Sequence, residues 1–441
     1  MKRFLTIFCS VILSSCLLSS ANARNNSLDS VEQQIVQAVD KHKSSHLKLL
    51  EKVVNINSGT MNLAGVKEVG MVFNEEFQKL GFETQWVDGK QFNRAGHLLA
   101  SYGVDSNNKN ATKILMIGHL DTVFAKNSEF QKYTSLDKDR VAGPGITDMK
   151  GGDVIILSAL QALKESGVLK NLQIKVMLMG DEEKRGSPYE VATKELIEAG
   201  QWADIAMGFE DGDGNPKTAV ISRRGATGWK LKVKGRAAHS SQIFREKYGY
   251  GAIFEAARIL DGFRTALSKE PNLTFNPGVI VGGTDVDFDK ATAKGNAFGK
   301  SNVIPQTTIV NGDIRALSPE QLKNAQEIMK RIVSQNLEET SADIEFYPGY
   351  PPMAPNDGNR KLLAYYNDAS EDLGFGKVLA VDPRKAGAAD ISFVANHVDM
   401  ALDGLGLMGT GGHTIKEVAN ISTFVSQAKR AAVVMYRLSK E

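Results

Sequence analysis

The sequence predicts an α/β fold whose mainly parallel central sheet is flanked by helices and whose chain is interrupted by an inserted α+β domain. Short, continuous apolar runs such as KILMIG (113–118) and IKVMLM (174–179) are typical of strands buried on both faces. These runs alternate with helical patterns, as in a parallel sheet. From about residue 224, segments such as GWKLKV (228–233) alternate apolar and polar residues, which indicates half-exposed antiparallel strands.

The order of elements follows from the periodicity. We expect helices over residues 28–56, 66–80 and 154–163, with strands at 82–87, 113–118, 174–179 and 203–209. The insertion should contain strands at 228–233, near 279 and at 307–314, and helices at 252–267 and 319–337. A link rich in proline and glycine (YPGYPPMAP, 347–355) then returns the chain to the first pattern, which ends in a helix at 421–438.

The N-terminus has the pattern of a secretory signal peptide over residues 1–23. Lys2 and Arg3 precede an apolar run at 4–18, and Ala21-Asn22-Ala23 offers a small-x-small cleavage site. We therefore expect a periplasmic or secreted protein. A membrane anchor is the alternative, but the run is short for a span of about 20 residues. A lipoprotein attached through Cys16 is a further alternative.

Composition narrows the possible partners. The chain has 441 residues, enough for two or three domains, and a formal net charge of +2 with no basic block. Nucleic acid is therefore not an expected partner, because phosphate binding needs concentrated positive charge. Both cysteines lie within the first 23 residues, so a cleaved chain would bind metal only through histidine and carboxylate side chains.

Two loops that follow predicted structure carry candidate metal ligands. His119 comes directly after KILMIG, and Asp121 is close enough in sequence to accept a hydrogen bond from the His119 ring. The alternative is a histidine that only caps a turn. Asp148 lies among glycines, where a carboxylate can bridge two cations, although it could equally begin the next helix.

Four further residues complete the set. Glu182 and Glu183 follow the strand 174–179, so one can bind metal while the other acts as a general base; a solvated acidic loop is the alternative. Glu210 ends the strand 203–209. His413 lies in a glycine-rich loop before the last helix, where its alternative role is that of a surface histidine.

Other histidines and motifs carry less information. His42 and His46 have the spacing of a helical metal pair, but Lys43 stands where a zincin needs glutamate, and we interpret them as a solvated helix face. His97 has no partnering context in the sequence. We find no serine-hydrolase elbow, Walker loop or Rossmann fingerprint.

In chain order these residues resemble the ligand set of the di-zinc aminoacylase/glutamate carboxypeptidase family of metallopeptidases, the type with a dimerisation domain. The resemblance implies two Zn²⁺, for which Co²⁺ or Mn²⁺ can substitute. It implies that His119 and Glu210 hold one metal, that Glu183 and His413 hold the other, and that Asp148 bridges them. It also makes Glu182 the general base and later the proton donor, and Asp121 the partner of His119.

The resemblance also divides the chain. Residues 24–223 and 347–441 correspond to a catalytic domain, and 224–346 to a lid that can form a homodimer. In the lid, His239 matches an oxyanion-stabilising histidine, Asn302 a substrate contact, and Arg315 a residue that binds the substrate carboxylate, as a guanidinium does well.

The function so implied is hydrolysis of an amide bond next to a free carboxylate, in a small peptide or an N-acyl amino acid. A glutamate-carboxypeptidase-like release of a C-terminal amino acid is the first expectation. An N-acyl amino acid deacylase or a dipeptidase would use the same metal site. A ligand-binding protein without catalysis is the alternative of another class, and the intact set of Glu182 and the five ligands argues against it.

Overall fold

The structure is a computed structural model that describes residues 28–104, 108, 111–289 and 292–441. The predicted signal peptide and both cysteines lie outside the described residues. The α-helices are α1 (Ser30–Val54), α2 (Leu63–Lys79), α3 (Gly151–Glu165), α4 (Tyr189–Ala192), α5 (Lys194–Trp202), α6 (Gly251–Leu267), α7 (Pro319–Val333), α8 (Asp357–Asp372) and α9 (Thr423–Leu438).

The strands are β1 (Glu83–Asp88), β2 (Gly96–Tyr102), β3 (Lys113–His119), β4 (Thr134–Ser135), β5 (Arg140–Ala142), β6 (Gln173–Met179), β7 (Ile205–Gly208), β8 (Thr218–Ala219), β9 (Thr227–Gly235), β10 (Thr274–Gly283), β11 (Asp285–Asp289), β12 (Lys294–Phe298), β13 (Thr307–Arg315), β14 (Thr340–Phe346), β15 (Leu379–Ala380), β16 (Met400–Leu402), β17 (Gly409–Thr410) and β18 (Val418–Asn420).

The central sheet has six strands in the order β1-β2-β6-β3-β7-β16. Strands β6, β3, β7 and β16 are parallel, whereas β1 and β2 add an antiparallel edge. The side chains of β3 show why its sequence is continuously apolar. Ile114 and Met116 face the cluster formed with α1, α3 and α9, whereas Leu115 and Ile117 face the cluster formed with α5. The predicted α/β class with a mainly parallel sheet is confirmed.

Parallel strands bring their carboxyl ends to one edge of the sheet. The residues that follow β3, β6 and β7 therefore meet there: His119 ends β3, Glu182 and Glu183 follow β6, and Glu210 follows β7. The apolar core beneath this edge positions the polar side chains above it.

A second, antiparallel sheet has the order β10-β13-β9-β14 and packs against α6 and α7. Its alternating sequence follows from one buried face: Trp229, Leu231 and Val233 point into a separate hydrophobic cluster, whereas the lysines between them point outward. Two chain segments join the two sheets side by side, through antiparallel bridges between Arg223 and Met353 and between Ala226 and Tyr350.

Three features differ from the sequence-based expectation. Strands β2 and β14 and the hairpin of β11 and β12 were not predicted. Strand β12 is exposed throughout and β14 only half-buried in alternation, so neither carries a strong apolar pattern. Helix α7 ends at Val333 rather than at 337.

Within the described residues, no helix combines the length and apolar character that a membrane span requires.

Candidate active site

The carboxylate of Asp148 lies between two histidines at the edge of the central sheet. Its Oδ1 is 3.0 Å from Nε2 of His119, and its Oδ2 is 2.9 Å from Nε2 of His413. His119 is placed by β3, Asp148 by the loop before α3, and His413 by the loop between β17 and β18. Each oxygen of one carboxylate thus faces a different imidazole, which is the arrangement a bridging ligand needs.

One glutamate accompanies each histidine. Oε1 of Glu210 is 3.6 Å from Nε2 of His119, and Oε2 of Glu183 is 3.0 Å from Nε2 of His413. The five residues predicted from sequence as ligands therefore converge, in the two predicted pairs around Asp148. Asp211, the neighbour of Glu210, instead makes a side-chain hydrogen bond with Thr147.

The donor set fits divalent metal ions. One ligand atom from each of His119, Asp148 and Glu183 lies within 4.8 Å of the others. Oε1 of Glu183 is buried and has no hydrogen-bond partner among the described residues, so it has an unused lone pair in the site. Two imidazoles with several carboxylates are ligands that zinc accepts, with cobalt and manganese as chemical alternatives.

The electrostatics of the cluster point the same way. The pKa of Glu182 is raised to about 8, chiefly by burial and also by the neighbouring Asp390 and Glu183 carboxylates, against the opposing effect of His119. Hydrogen bonds to Asp148 and Glu183 raise the pKa of His413 to about 11. Buried carboxylates outnumber the imidazoles, and this excess negative charge is what bound cations neutralise.

Asp121 lies beside the His119 ring, as expected, and its main chain makes the shorter contact. The His119 Nδ1 is 3.0 Å from the backbone oxygen of Asp121 and 3.6 Å from its carboxylate. That carboxylate is already engaged, because it accepts hydrogen bonds from the backbone N–H groups of Glu182 and Glu183 and from the hydroxyl of Thr60. The backbone of Asp121 thus orients His119, whereas its side chain positions the turn that carries both glutamates.

Sequence reasoning missed Glu417, which supports Asp148 from below. Its fully buried carboxylate accepts hydrogen bonds from the backbone N–H groups of Gly145, Thr147 and Asp148, at 2.9, 2.8 and 3.3 Å. The only sequence signal was an acidic residue at the end of the His413 loop. Nothing local indicated that it would reach across about 270 residues of chain.

A buried ion pair supports Glu210 in the same way. Nε of Arg223 donates to Oδ2 of Asp403 at 2.7 Å, and Oδ1 of Asp403 accepts from the backbone N–H of Glu210. Both charged side chains are almost completely buried. The pair holds the start of the Glu210 loop against the sheet.

A second buried cluster supports the Glu182 turn. Arg185 forms ion pairs with Asp181 and Asp390, and its Nη2 donates to the hydroxyl of Tyr350 at 2.8 Å. That hydroxyl donates to the backbone oxygen of Glu182 at 2.7 Å. Tyr350 belongs to the segment that joins the two sheets, so this cluster connects the joint to the predicted base.

The lid residues predicted to bind substrate lie apart from this cluster. His239 is exposed, and its Nδ1 is 2.9 Å from Oγ of Ser241. The backbone next to it pairs with the Asn302 segment, since Ser240 N–H donates to the Asn302 carbonyl. Arg315 ends β13 and forms a half-exposed ion pair with Asp313. Within the described residues, no hydrogen bond or ion pair joins these three side chains to the five ligands.

The chain resembles known hydrolases over most of its length. It is 28% identical to carboxypeptidase G2 of Pseudomonas sp. (strain RS-16) over 406 residues, which cover 90% of each chain. It is 24% identical to succinyl-diaminopimelate desuccinylase of Rickettsia bellii (strain RML369-C) over 398 residues, 86% of this chain and 92% of that one. The fold also matches the crystal structure of aminopeptidase PepT from Bacillus cereus ATCC 10987, with a TM-score of 0.70 and 19% identity over 90% of this chain and 98% of that one.

The model of peptidase family M20/M25/M40 matches residues 115–441. The matched region contains each of the residues that converge around Asp148, and the chain is accordingly a hydrolase of the metallopeptidase type. The chain belongs to peptidase family M20/M25/M40.

Proposed function

We propose that the protein is a carboxypeptidase-like hydrolase with two metal ions, which cuts an amide bond next to a free carboxylate and releases a C-terminal amino acid, with glutamate the first candidate. The observation that carries the proposal is Asp148, whose two oxygens face separate histidine–glutamate pairs. His119 and Glu210 would hold one ion, Glu183 and His413 would hold the other, and Asp148 would be a ligand to both. Zn²⁺ suits these ligands best.

The reaction needs a base beside the attacking water. Bound metal ions supply Lewis acidity, which polarises the carbonyl and lowers the pKa of that water. Glu182 takes the water's proton and passes it to the leaving amine. Its carboxylate makes no hydrogen bond among the described residues, while its backbone is held by Asp121 and Tyr350, so the side chain is free to accept a proton from a fixed position.

The lid supplies the remaining contacts. We assign stabilisation of the tetrahedral oxyanion to His239, whose Nδ1 is held by Ser241 and whose Nε2 is left for substrate. Arg315 binds the free carboxylate, because a guanidinium can hold both oxygens at once, and Asn302 adds a hydrogen-bond donor. Since these residues lie apart from the metal ligands, the lid must close or a second subunit must approach for the site to be complete.

Deacylation of an N-acyl amino acid, or cleavage of a dipeptide, is the second candidate. The similarity to known proteins supports both candidates, because one relative is a carboxypeptidase and the other is a desuccinylase, which removes an acyl group. Both reactions use the same metal site and differ in the group on the acyl side of the bond.

The N-terminal pattern supports a periplasmic or secreted location, which N-terminal sequencing of protein from separated cell fractions would test.

The proposal is tested by comparing the protein with its Glu182→Gln variant. We expect about two zinc ions per chain in both, and a loss of roughly 10²–10⁴-fold in kcat for the variant on peptides and N-acyl amino acids with a free carboxylate, because only the base is removed. Metal content is measured by atomic emission, and turnover by release of the amino acid.

Glu198→Gln, a change at an exposed helix position, is the control and should keep full activity. Unchanged turnover in Glu182→Gln would remove Glu182 from the reaction. Loss of both activity and metal would mean that Glu182 is a ligand and not a base.

A further inference from the structure

A groove of about 600 Å³ opens beside the metal-ligand cluster, on the central-sheet side of the molecule. Glu183 lies on its inner wall, and the segments 59–62 and 122–126 form its sides. The mechanism proposed above uses nothing in this groove apart from Glu183. Because Glu183 lines the groove, the groove opens next to the proposed metal ligands.

The inner wall of the groove is held rigidly to the site. Thr60 N–H donates to the Thr122 carbonyl at 3.1 Å, and Thr122 N–H donates to the Ser58 carbonyl at 2.9 Å. The Thr60 hydroxyl donates to Asp121 at 2.6 Å, and the same Asp121 carboxylate holds Glu183. A Cβ at Gly59 would lie 2.2 Å from the Phe124 carbonyl oxygen, so only glycine lets the two segments approach this closely. The groove is therefore preformed.

The surface of the groove is apolar with positive charge. Met61 and Val123 are 59% and 41% exposed, although side chains of this kind are usually buried. Lys126 and Lys184 also line it, and neither forms an ion pair within the described part of the chain. Apolar walls with a few charged groups are typical of a site for a small ligand with an apolar body and an opposite charge.

We propose that this groove binds the acyl side of the substrate, and that it selects an acyl group with an apolar body, aromatic or branched, that carries a carboxylate at its far end. The assignment rests on the proposed function, in which Arg315 and Asn302 in the lid bind the leaving amino acid. The acyl group of the substrate then lies away from the lid, in the groove beside the central sheet. There, Met61 and Val123 contact its apolar body, and Lys126 and Lys184 attract its distal carboxylate.

The test uses three compounds that share one leaving group: N-acetyl-, N-benzoyl- and N-(4-carboxybenzoyl)-glutamate. We expect kcat/KM to rise about tenfold or more from acetyl to benzoyl, since filling an apolar pocket changes binding by such factors. We expect a further severalfold rise in kcat/KM from benzoyl to 4-carboxybenzoyl. This second rise should become smaller at high salt, because salt screens the attraction between exposed charges. Dissociation constants of the same compounds are measured by calorimetry on the Glu182→Gln protein.

Variants assign each preference to its side chains. Met61→Asn with Val123→Asn should reduce the benzoyl preference, and Lys126→Gln with Lys184→Gln should remove the preference for the added carboxylate. Leu379→Asn and Lys138→Gln, at exposed positions outside the groove, are the matched controls and should change neither ratio.

The outcomes separate this inference from the proposed function. If the compounds are cut but the groove variants change all three equally, the acyl group lies elsewhere and the groove assignment is wrong. If none is cut, the proposed function fails for this leaving group. In that case the dissociation constants still test whether the groove binds the acyl group. Equal affinity for all three compounds would overturn this assignment, and a graded affinity that depends on Met61, Val123, Lys126 and Lys184 would support it.

Discussion

The position of Asp148 depends on a residue that binds no metal in our assignment. Three backbone N–H groups of the loop around Asp148 donate to Glu417, which is fully buried beneath it. A loop with its donors satisfied in this way keeps one shape, and the bridging carboxylate keeps one direction. Glu417 therefore acts on metal binding through the loop.

Glu417→Gln should weaken metal binding without removing a ligand. The amide has only one acceptor oxygen, so a buried N–H loses its partner at a cost of about 1–3 kcal/mol. We expect a lower melting temperature and metal loss at lower chelator concentration, with activity recovered in excess zinc. Chelator titration followed by metal analysis checks this, with Glu198→Gln as the control. Equal metal retention in both variants would contradict it.

His97 shows that a histidine without a sequence context can still have a defined structural role. It is completely buried, its Nδ1 accepts the Gly180 N–H at 3.1 Å, and its Nε2 donates to the Ala192 carbonyl at 3.0 Å. The neutral ring thus fixes the backbone just before the Glu182 turn. Burial lowers its pKa below the ordinary value of 6.5.

This burial predicts that stability falls at acid pH. The folded-state pKa is lower than that of the unfolded chain, so the stabilising contribution is complete above about pH 6.5 and is lost as the pH falls. We expect His97→Asn to be less stable at pH 8 but to lose less stability down to pH 5, by up to about 1.4 kcal/mol per pH unit. Denaturant unfolding across this range measures it. A wild-type slope in His97→Asn would contradict the prediction.

At the scale of elements, the joint between the two sheets connects to the predicted base. Segments 223–226 and 350–353 pair with each other, and Tyr350 on the second donates to the Glu182 carbonyl while accepting from Arg185. The lid closure proposed above would therefore reach the Glu182 turn through Tyr350. The hydrogen bond from Tyr350 to Glu182 thus connects two residues that are 168 positions apart in the sequence.

Tyr350→Phe should slow the reaction without releasing metal. The net worth of such a hydrogen bond is about 0.5–1.5 kcal/mol, which corresponds to a fall in kcat of roughly 2- to 10-fold. KM and zinc content should change little, because the five ligands remain in place. Steady-state kinetics and metal analysis check this. Tyr365→Phe is the control, because it removes a tyrosine hydroxyl that pairs with Glu441, away from the metal ligands. A change confined to KM would show that Tyr350 acts on substrate binding instead.

The elements themselves were largely predictable where burial imposes a period. Strands β3 and β6 are apolar throughout because both faces are covered, and β9 alternates because one face is exposed. Strand β14 and the hairpin were missed because partial or full exposure leaves little periodic signal. Helix bounds differed by a few residues, since helix ends depend on local caps and contacts.

At the scale of the whole molecule, the lid presents an exposed apolar surface that we define by Ile253, Phe254, Ile280 and Phe298. These side chains are 46–62% exposed, and Ile280 lies on β10, the edge strand of its sheet. Exposed apolar patches of this kind commonly mark protein–protein contacts. The surface supports the proposal that two lids associate into a homodimer.

Phe254→Lys should therefore convert a dimer into a monomer. A charge in the centre of an apolar contact would be buried without a partner, which is strongly unfavourable. Sedimentation equilibrium of both proteins measures their mass. The control is Leu379→Lys, at an exposed apolar position outside the lid. A wild-type protein that is monomeric at micromolar concentration would refute the association.

The sequence by itself determined the fold class and the residues that converge at the site. The apolar pattern of a strand is local to the chain, and parallel strands bring His119, Glu183 and Glu210 to the same edge of the sheet whatever the details of packing. The tertiary structure alone decided which groups hold them: Glu417 under Asp148, Asp403 with Arg223 under Glu210, and Tyr350 under Glu182. Each of these contacts joins residues that are 168 to 272 positions apart in the chain. No local sequence pattern encodes them, because they form only once separate elements have packed together.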